Sequence, residues 1–427
     1  MNLLLKLEVT CALLTHWAAV AAAQVTVIKA GRLVAPETGT VSENQLIFIE
    51  GERIEAVGAE LEIPEGANVI DLSHATVLPG LFDAHTHLCL NMQRQWDGGD
   101  YLVNSLNWRA GMRALTGVVH AREMLDAGFT TVRDVGNAGD YAAVDLAKAI
   151  AWGMVPGPTI VAAGRIITPF GGQFAKPAPK HVLDNPEYLF ADTRDELQKA
   201  VRENIYYGAH LIKLIVDDQP YVYTAEEIRF VVVEAGKAGR RVAAHCVTRQ
   251  GARNAAAAGV ASIEHGWQLG DEELALMKQN NVALVGTDPT LKHLEALGRP
   301  AEQARHDYEQ KVERLRRAHQ AGITLVFGTD LMSGLPGETR GTLAVGYVDS
   351  FVEAGVPNED ILRALTTHAA RLLGVERERG FIAPGFYADL IAVPDNPLED
   401  IQTLKRVGFV MRHGKVHRRD SPGRPLP

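Results

Sequence analysis

The spacing of apolar and polar residues divides the chain into two kinds of segment. Short alternating runs separated by glycines occupy residues 24–70, for example 25–28 and 46–49, and the same texture returns near the C-terminus at 389–393. Alternation with a period of two is typical of antiparallel strands that bury one face. Strand-like segments of this kind occur at both ends of the chain, and the segment between them has another pattern. One small β-sandwich domain built from both termini is therefore predicted.

Between residues 77 and 374 the pattern changes to short apolar strands that alternate with helical stretches such as 225–237 and 303–321. Eight such units predict a (β/α)8 TIM barrel, an α/β fold, and a doubly wound open sheet is the alternative. The predicted strands are 77–84, 130–134, 159–163, 211–216, 242–245, 261–264, 282–286 and 324–328.

The N-terminal residues have the pattern of an export signal. An apolar run at 9–20 follows a single lysine and precedes three small alanines, so cleavage before Gln24 is predicted. The mature protein would then be periplasmic or secreted, and an unprocessed N-terminal tail is the alternative. The predicted division is a signal peptide (1–23), an N-terminal β-sandwich segment (24–79), a hydrolase barrel (80–383), a C-terminal β-sandwich segment (384–420) and a tail (421–427).

Composition and charge exclude several classes of protein. The 427 residues can bury a large core, and only three cysteines are present, so a disulfide-stapled scaffold is excluded. The formal charge of -9, without a long basic run, argues against a nucleic-acid partner. After the signal, no apolar stretch reaches the length of a membrane-spanning helix.

Chemically distinctive residues stand at the ends of the predicted strands, where functional residues of a barrel gather. His85 and His87 are two apart, so in an extended segment both imidazoles face one ion. Lys213 lies within the apolar strand 211–216, where burial lowers a lysine pKa and favours the neutral amine. A neutral amine can take up CO2 as a carbamate whose oxygens bridge two metal ions. A buried salt bridge is the alternative.

Three further residues extend this pattern. His245 and His265 end the fifth and sixth predicted strands, and Asp330 follows Gly328 at the end of the eighth. Each alone could be a core histidine or a helix-capping carboxylate. Together with the preceding three, they form the set of imidazoles and carboxylates that zinc prefers. A binuclear metal centre is therefore predicted.

These residues carry a resemblance to a known family. The chain resembles the binuclear amidohydrolase superfamily with a carboxylated lysine, and segments 77–87 and 380–391 match its first barrel strand and its return into the β-sandwich. It is most similar to the branch of imidazolonepropionases, Xaa-Pro dipeptidases and microbial ochratoxin amidases. Segments 130–134 and 262–266 are typical of the last two. The matching ligand order is His85, His87, Lys213, His245, His265, Asp330.

The resemblance implies a role for each of these residues. His85, His87 and Asp330 would hold one metal, the other two histidines would hold a second, and carboxylated Lys213 would bridge them. Asp330 would be the catalytic residue that takes a proton from the attacking water and passes it to the leaving amine. Two divalent ions, with zinc expected, and a CO2-derived carbamate are the implied cofactors. A homo-oligomer, such as an octamer, is implied as well.

The resemblance also implies the substrate class. It is an amide whose amine half is a free C-terminal amino acid, as in a dipeptide or an N-acyl amino acid. Tyr223, Arg249 and Arg340 are predicted to bind its carboxylate. Gln173 stands where relatives often carry a substrate-contacting histidine, and the Pro- and Phe-rich residues 169–179 around it suit a bulky aromatic acyl group. Ochratoxin A, cleaved to ochratoxin alpha and phenylalanine, is the specific substrate predicted.

Two other classes of function remain open on the sequence. The first alternative is a deaminase or an imidazolonepropionase-like cyclic-amide hydrolase. Such deaminases, however, usually lack the strand-four lysine and carry Glu where this chain has Thr248. A non-enzymatic scaffold relative of the barrel is the second, although such proteins typically lose metal ligands. Metal content per chain distinguishes the three: near two for the binuclear hydrolase, near one for the deaminase and near zero for the scaffold.

Overall fold

A computed structural model describes residues 25–136, 139–174, 187–218 and 220–420. The predicted export signal, its cleavage site before Gln24 and the predicted tail 421–427 lie outside these residues and stay predictions. Within the described ranges, no helix has the length and apolar character needed to cross a membrane.

Strands are concentrated at the two ends of the chain and alternate with helices between them. The strands are β1 (Thr26–Ala35), β2 (Thr40–Glu50), β3 (Arg53–Gly58), β4 (Asn68–Pro79), β5 (Leu81–Thr86), β6 (Phe129–Asp134), β7 (Thr159–Ala162), β8 (Ile166–Thr168), β9 (Tyr188–Phe190), β10 (Leu211–Ile215), β11 (Arg241–Cys246), β12 (Ser262–His265), β13 (Ala283–Val285), β14 (Leu390–Val393), β15 (Phe409–Arg412) and β16 (Lys415–Arg419).

Helices lie mainly in the middle of the chain. They are α1 (Arg94–Asp97), α2 (Tyr101–Asn107), α3 (Ala110–Asp126), α4 (Ala142–Ala151), α5 (Arg194–Tyr206), α6 (Ala225–Gly236), α7 (Arg249–Ala258), α8 (Asp271–Gln279), α9 (Leu291–Ala296), α10 (Ala301–Gln320), α11 (Arg340–Gly346), α12 (Val348–Glu353), α13 (Asn358–Leu365) and α14 (Thr367–Leu373), with a 3-10 helix at Ile401–Arg406.

The terminal strands form a separate sheet, as the alternating pattern predicts. Seven strands pair in the order β16-β15-β14-β4-β1-β2-β3, and β14 joins the two ends of the chain by pairing antiparallel with β4. The Ile54 N–H of β3 donates to the Phe386 carbonyl at 2.9 Å, just before β14, which shows that the sheet curls back on itself. The expected β-sandwich is thus one continuous sheet that returns on itself around an apolar core, which includes Ile28, Ile47 and Ile70.

The middle of the chain forms two parallel sheets in a mixed α/β fold. They have the orders β5-β6-β7 and β13-β12-β11-β10-β8-β9. Residues 324–328, predicted as the eighth strand, make only one isolated bridge, yet their backbone hydrogen-bonds to both sheets. The Val326 N–H donates to the Leu284 carbonyl at 2.9 Å, and the Ala84 N–H donates to the Phe327 carbonyl at 2.8 Å. Regular strand pairing therefore leaves the predicted barrel open at this point.

The side chain of Asp83 explains the irregular eighth strand. Its carboxylate accepts the Thr329 N–H at 3.1 Å and the Thr329 hydroxyl at 2.6 Å, in place of a backbone ladder partner. A second junction, between β7 and β10, is held by the His210 N–H, which donates to the Ala162 carbonyl at 2.7 Å. The short strands β8 and β9, which the pattern did not predict, extend the larger sheet beyond that junction.

Helix boundaries follow local capping. The predicted helix 225–237 is α6, and it begins after Thr224 because the Thr224 hydroxyl and the Glu227 carboxylate form a capping box. The predicted helix 303–321 is α10, which lies within two residues of that range. These helices cover the parallel sheets, whose strand β5 is buried at every residue. The carboxyl ends of the parallel strands are thereby left to form the site.

Candidate metal centre

A cavity of about 360 Å³ opens at the carboxyl ends of the parallel strands. Five of the six predicted ligands lie at or near the end of a strand segment, and Lys213 lies in the middle of β10. The structure brings all six predicted metal ligands to the wall of this cavity: His85, His87, Lys213, His245, His265 and Asp330.

Three of these residues form a compact group suited to a metal ion. The ligand atoms of His85, His87 and Asp330 all lie within 4.8 Å of one another. Asp330 Oδ1 is 3.1 Å from His87 Nε2 and 3.5 Å from His85 Nε2. Burial alone would raise the pKa of Asp330, but the two imidazoles lower it to about 2. The carboxylate is therefore ionised, as a metal ligand must be.

Hydrogen bonds on the far side of each ring fix the tautomer of the two histidines. His85 Nδ1 lies 2.6 Å from Glu264 Oε2, and His87 Nδ1 donates to the Gly136 carbonyl. Because a carboxylate and a carbonyl only accept, both Nδ1 atoms carry the proton. In the neutral form of each ring, the Nε2 lone pair can then bind a metal, which is the usual arrangement of metal-ligating histidines.

A buried ion pair holds Glu264 in place behind His85. Arg133 donates to both carboxylate oxygens of Glu264, at 2.7 and 2.8 Å, and to the Ser262 hydroxyl at 3.1 Å. Burial would raise the pKa of Glu264, but the Arg133 guanidinium and His85 lower it well below its usual range. Glu264 is thus a permanent anion that polarises the His85 ring.

The two other histidines predicted as ligands, His245 and His265, lie together on the same cavity wall. Their rings meet edge to face with centroids 4.4 Å apart. His265 Nδ1 lies 2.9 Å from the Thr287 hydroxyl oxygen, and both residues have positive φ angles, 67° and 53°, a strained backbone that functional sites often contain. His245 Nε2 is buried without a hydrogen bond, although Asp218 Oδ2 is 3.1 Å away. This orphaned nitrogen fits a metal ligand.

Lys213 is buried in the centre of β10 and faces the same cavity. Burial lowers its pKa to about 8, against the opposing effect of the carboxylates of Glu264 and Asp330. Lys213 makes no ion pair with a carboxylate of the described residues, so the alternative of a buried salt bridge is not observed there. At this pKa a larger fraction of the amine is neutral than in an exposed lysine, and the neutral form is the one that reacts with CO2.

The residues predicted to contact substrate are placed differently. Gln173 lines the cavity and donates to Asp218 at 2.9 Å. Tyr223 donates its hydroxyl to the Ala191 carbonyl and lines a separate surface cavity together with Phe170. Phe170, which we expected beside the acyl group, therefore faces that second cavity.

The two predicted arginines do not line the catalytic cavity either. Arg249 is exposed at the first turn of α7. Arg340 is buried, and its guanidinium donates to the carbonyls of Leu331 and of Leu90, the latter at 2.9 Å. Arg340 therefore joins two backbone segments behind the site. Pro177 and Pro179, also expected near the acyl group, lie outside the described residues.

The cavity wall also contains charged and aromatic residues that sequence reasoning missed. Asp218 and Glu187 add carboxylates, and Trp267 and Lys311 add an aromatic ring and an ammonium. Arg133, behind the wall, and its partner Glu264 carried one usable signal, because they are opposite charges within two predicted strands. Lys311 carried none, because it lies in a long polar helix.

Comparisons with known proteins place this site in a family context. A family model described as the amidohydrolase family matches residues 76–417. The ochratoxinase of Aspergillus niger is 29% identical, with 92% of this chain and 87% of that protein aligned. A crystal structure of a Xaa-Pro dipeptidase with bound methionine in its active site is 30% identical, with a TM-score of 0.81, over 92% of this chain and 100% of that one. A prolidase complexed with N-methylphosphonate-L-proline is 28% identical, with a TM-score of 0.80, over 93% and 100%.

Proposed function

Because the chain belongs to the amidohydrolase family, we propose that it hydrolyses an amide whose amine half is a free amino acid, as in a dipeptide or an N-acyl amino acid. Membership of the family confirms the resemblance drawn from the sequence motifs. The observation that carries the proposal is the cavity wall itself, where four imidazoles, a carboxylate and a buried lysine converge. The similarity to an ochratoxinase and to dipeptidases supports the choice of amide.

The donor set fits two divalent ions, and zinc is the metal we propose. His85, His87 and Asp330 would hold one ion, and His245 with His265 would hold the other. The free Nε2 atoms of the first pair and the orphaned nitrogen of His245 support this assignment. When bound, such ions lower the pKa of a water and withdraw electrons from the scissile carbonyl.

The chain's own residues supply the remaining chemistry. The neutral Lys213 amine would add to CO2, forming an N–C bond and releasing a proton, so that a carbamate joins the two halves of the site. Asp330 would accept the proton of the attacking water and pass it to the nitrogen of the leaving amino acid. Glu264 would keep the His85 ring oriented, because its carboxylate accepts the Nδ1 proton.

We further propose that the two parallel sheets and residues 324–328 are sectors of one (β/α)8 barrel, with domain boundaries at 79/80 and 383/384. The backbone hydrogen bonds that bridge both junctions support this arrangement. Export of the mature chain after residue 23, and assembly into a homo-oligomer, also belong to the proposal. They rest on the sequence and the family resemblance.

For the acyl half we propose a bulky aromatic group, with ochratoxin A as the specific substrate. Tyr101 lies on the cavity wall with its ring 6.3 Å from that of Phe174, and Trp267 on the wall is 50% exposed. These rings offer flat apolar surface to an aromatic acyl group. The alignment with an ochratoxinase over 92% of the chain supports the same choice.

The test is a hydrolysis screen on zinc-loaded protein with N-acyl amino acids, Xaa-Pro and other dipeptides, and ochratoxin A. We expect release of a free amino acid, loss of activity on chelation and a metal content near two per chain. Asp330→Asn should lower kcat by roughly 10²–10⁴-fold without unfolding the protein. Asp145→Asn, at an exposed carboxylate on α4, is the matched control and should leave kcat unchanged.

Different results would redirect or contradict the proposal. A metal content near one would favour the deaminase alternative. Two metals without cleavage of any of these compounds would contradict amino-acid release and point to lactams, esters or cyclic amides. An Asp330→Asn variant with near wild-type kcat would contradict the role of Asp330.

A further inference from the structure

We propose that Lys311 binds a carboxylate of the substrate at the wall of the cavity beside Trp267. This inference rests on the proposed function, because it names the group by which that site selects its substrate. It concerns a residue of α10 that no sequence motif indicated.

The position of Lys311 is defined by an aromatic ring. Its Nζ lies 4.3 Å from the centroid of the Trp267 ring, and both side chains line the cavity. The Trp267 ring is in turn 5.9 Å from that of His265, a predicted metal ligand. The ammonium is therefore separated from the metal centre by one aromatic ring, and the cation–π contact holds it there.

The charge on Lys311 is not balanced by its neighbours. The two carboxylates that act on it, Asp288 and Asp307, are already ion-paired with Arg314 and Arg299. Lys311 itself makes no ion pair within the part of the chain that the structure describes. The three basic groups of this cluster thus stand against two carboxylates, and Lys311, which lines the cavity, carries the excess positive charge.

Electrostatics agree with this geometry. Burial, with the repulsion of Arg314, lowers the pKa of Lys311 to about 8. A carboxylate bound in the cavity would supply the missing counter-charge and would form charge-assisted hydrogen bonds with the ammonium.

The carboxylate could come from two places in a substrate with an amino-acid amine half. One is the main-chain carboxylate of the released amino acid, and the other is the side-chain carboxylate of aspartate or glutamate. L-Glutamine and L-isoglutamine distinguish them, because these isomers carry only a main-chain and only a side-chain carboxylate, respectively.

The experiment measures binding of products by calorimetry on zinc-loaded protein, so it does not depend on hydrolysis. The ligands are L-phenylalanine, L-glutamine and L-isoglutamine, with L-phenylalaninamide as the uncharged counterpart of the first. The variants are Lys311→Met, which removes the charge and keeps the length, and Lys311→Arg, which keeps the charge. Lys199→Met, at an exposed lysine on α5, is the matched control.

We expect Lys311→Met to raise the Kd of at least one carboxylate ligand by about 10- to 100-fold and to leave that of the amide unchanged. Lys311→Arg should restore most of the affinity, and Lys199→Met should behave as wild type. An effect on L-glutamine identifies the main-chain carboxylate, and an effect on L-isoglutamine alone identifies the side chain. In turnover, Lys311→Met should raise KM and leave kcat within about twofold, as expected for lost ground-state binding.

Two results would overturn the inference. One is that wild-type protein binds none of the carboxylate ligands, and the other is that Lys311→Met binds all of them as wild type does. If hydrolysis of N-acyl amino acids continues in that second case, only the Lys311 site is refuted. If no amide is cleaved but Lys311-dependent binding persists, the proposed reaction is refuted and the carboxylate site stands.

Discussion

The buried ion pair behind His85 gives a prediction that separates folding from metal binding. Replacing Arg133 with Met removes the guanidinium that holds both oxygens of Glu264 and leaves this carboxylate, which is fully buried, without its counter-charge. The carbonyl of Ala84 and the hydroxyl of Ser262 lose a donor in the same step. The single variant should therefore be strongly destabilised.

The magnitude follows from the burial of the pair. Removing one partner of a buried ion pair costs about 3–5 kcal/mol, because the remaining charge is desolvated without compensation. With an unfolding entropy of about 2.1 cal/mol/K per residue, a chain of this length should melt roughly 3–6 °C lower. Arg371→Met, at an exposed arginine paired with Glu37, should change the free energy of unfolding by about 1 kcal/mol or less.

The double variant Arg133→Met with Glu264→Met distinguishes the two roles. Both charges are then absent, and apolar side chains of similar volume should restore most of the lost stability. His85 Nδ1 nevertheless loses its acceptor, so zinc affinity should remain about 10- to 100-fold below wild type.

Thermal melts of the metal-free proteins and zinc titration against a competing chelator measure the two quantities. A double variant as unstable as Arg133→Met would refute the ion-pair reasoning. A double variant with wild-type zinc affinity would refute the orienting role of Glu264.

Three further predictions concern other residues and the metal of the site. Lys213→Met should lose bound metal and activity. The metal-free variant should melt no lower than wild type, because a buried cation has been removed. Metal analysis and thermal melts measure these effects, and retained activity would contradict the carbamate. Arg340→Met should destabilise the fold by about 1–3 kcal/mol, because the Leu90 and Leu331 carbonyls lose a hydrogen-bond donor. The same variant should leave KM unchanged. A raised KM would instead support the predicted role of Arg340 in substrate binding. Chelation of zinc-loaded protein should lower the melting temperature, with zinc re-addition reversing it, since a metal at 100 times its Kd stabilises by about 2.7 kcal/mol; identical melts would show that the centre holds no metal.

The sequence predicted which residues meet at the cavity wall because of a property of parallel sheets. Their carboxyl ends meet at one edge, so residues that end different strands are brought together whatever their separation along the chain. His85 and Asp330 are far apart in sequence, yet both were identified by their position after a strand. Lys213 was identified by a different local signal, a basic residue within an apolar strand.

The sequence did not predict correctly where long side chains at helix starts and in loops point. Arg340 was expected in the cavity, but its guanidinium joins the Leu90 and Leu331 carbonyls, and Tyr223 reaches the Ala191 carbonyl. The direction of such a side chain depends on hydrogen-bond acceptors that are distant in sequence. The periodicity of apolar residues does not predict where those acceptors lie. Lys311 is the opposite case. It lies in a polar helix and was not predicted as a site residue, yet its side chain lines the cavity.

Local pattern therefore determined which elements form and which residues end the strands, because periodicity, capping and burial act over a few neighbouring positions. The curl of the terminal sheet, the Asp83 contacts at the eighth segment and the charge balance around Lys311 were decided by the tertiary structure alone. Each depends on a partner from a distant region of the chain, and the packing of whole elements decides which partners meet.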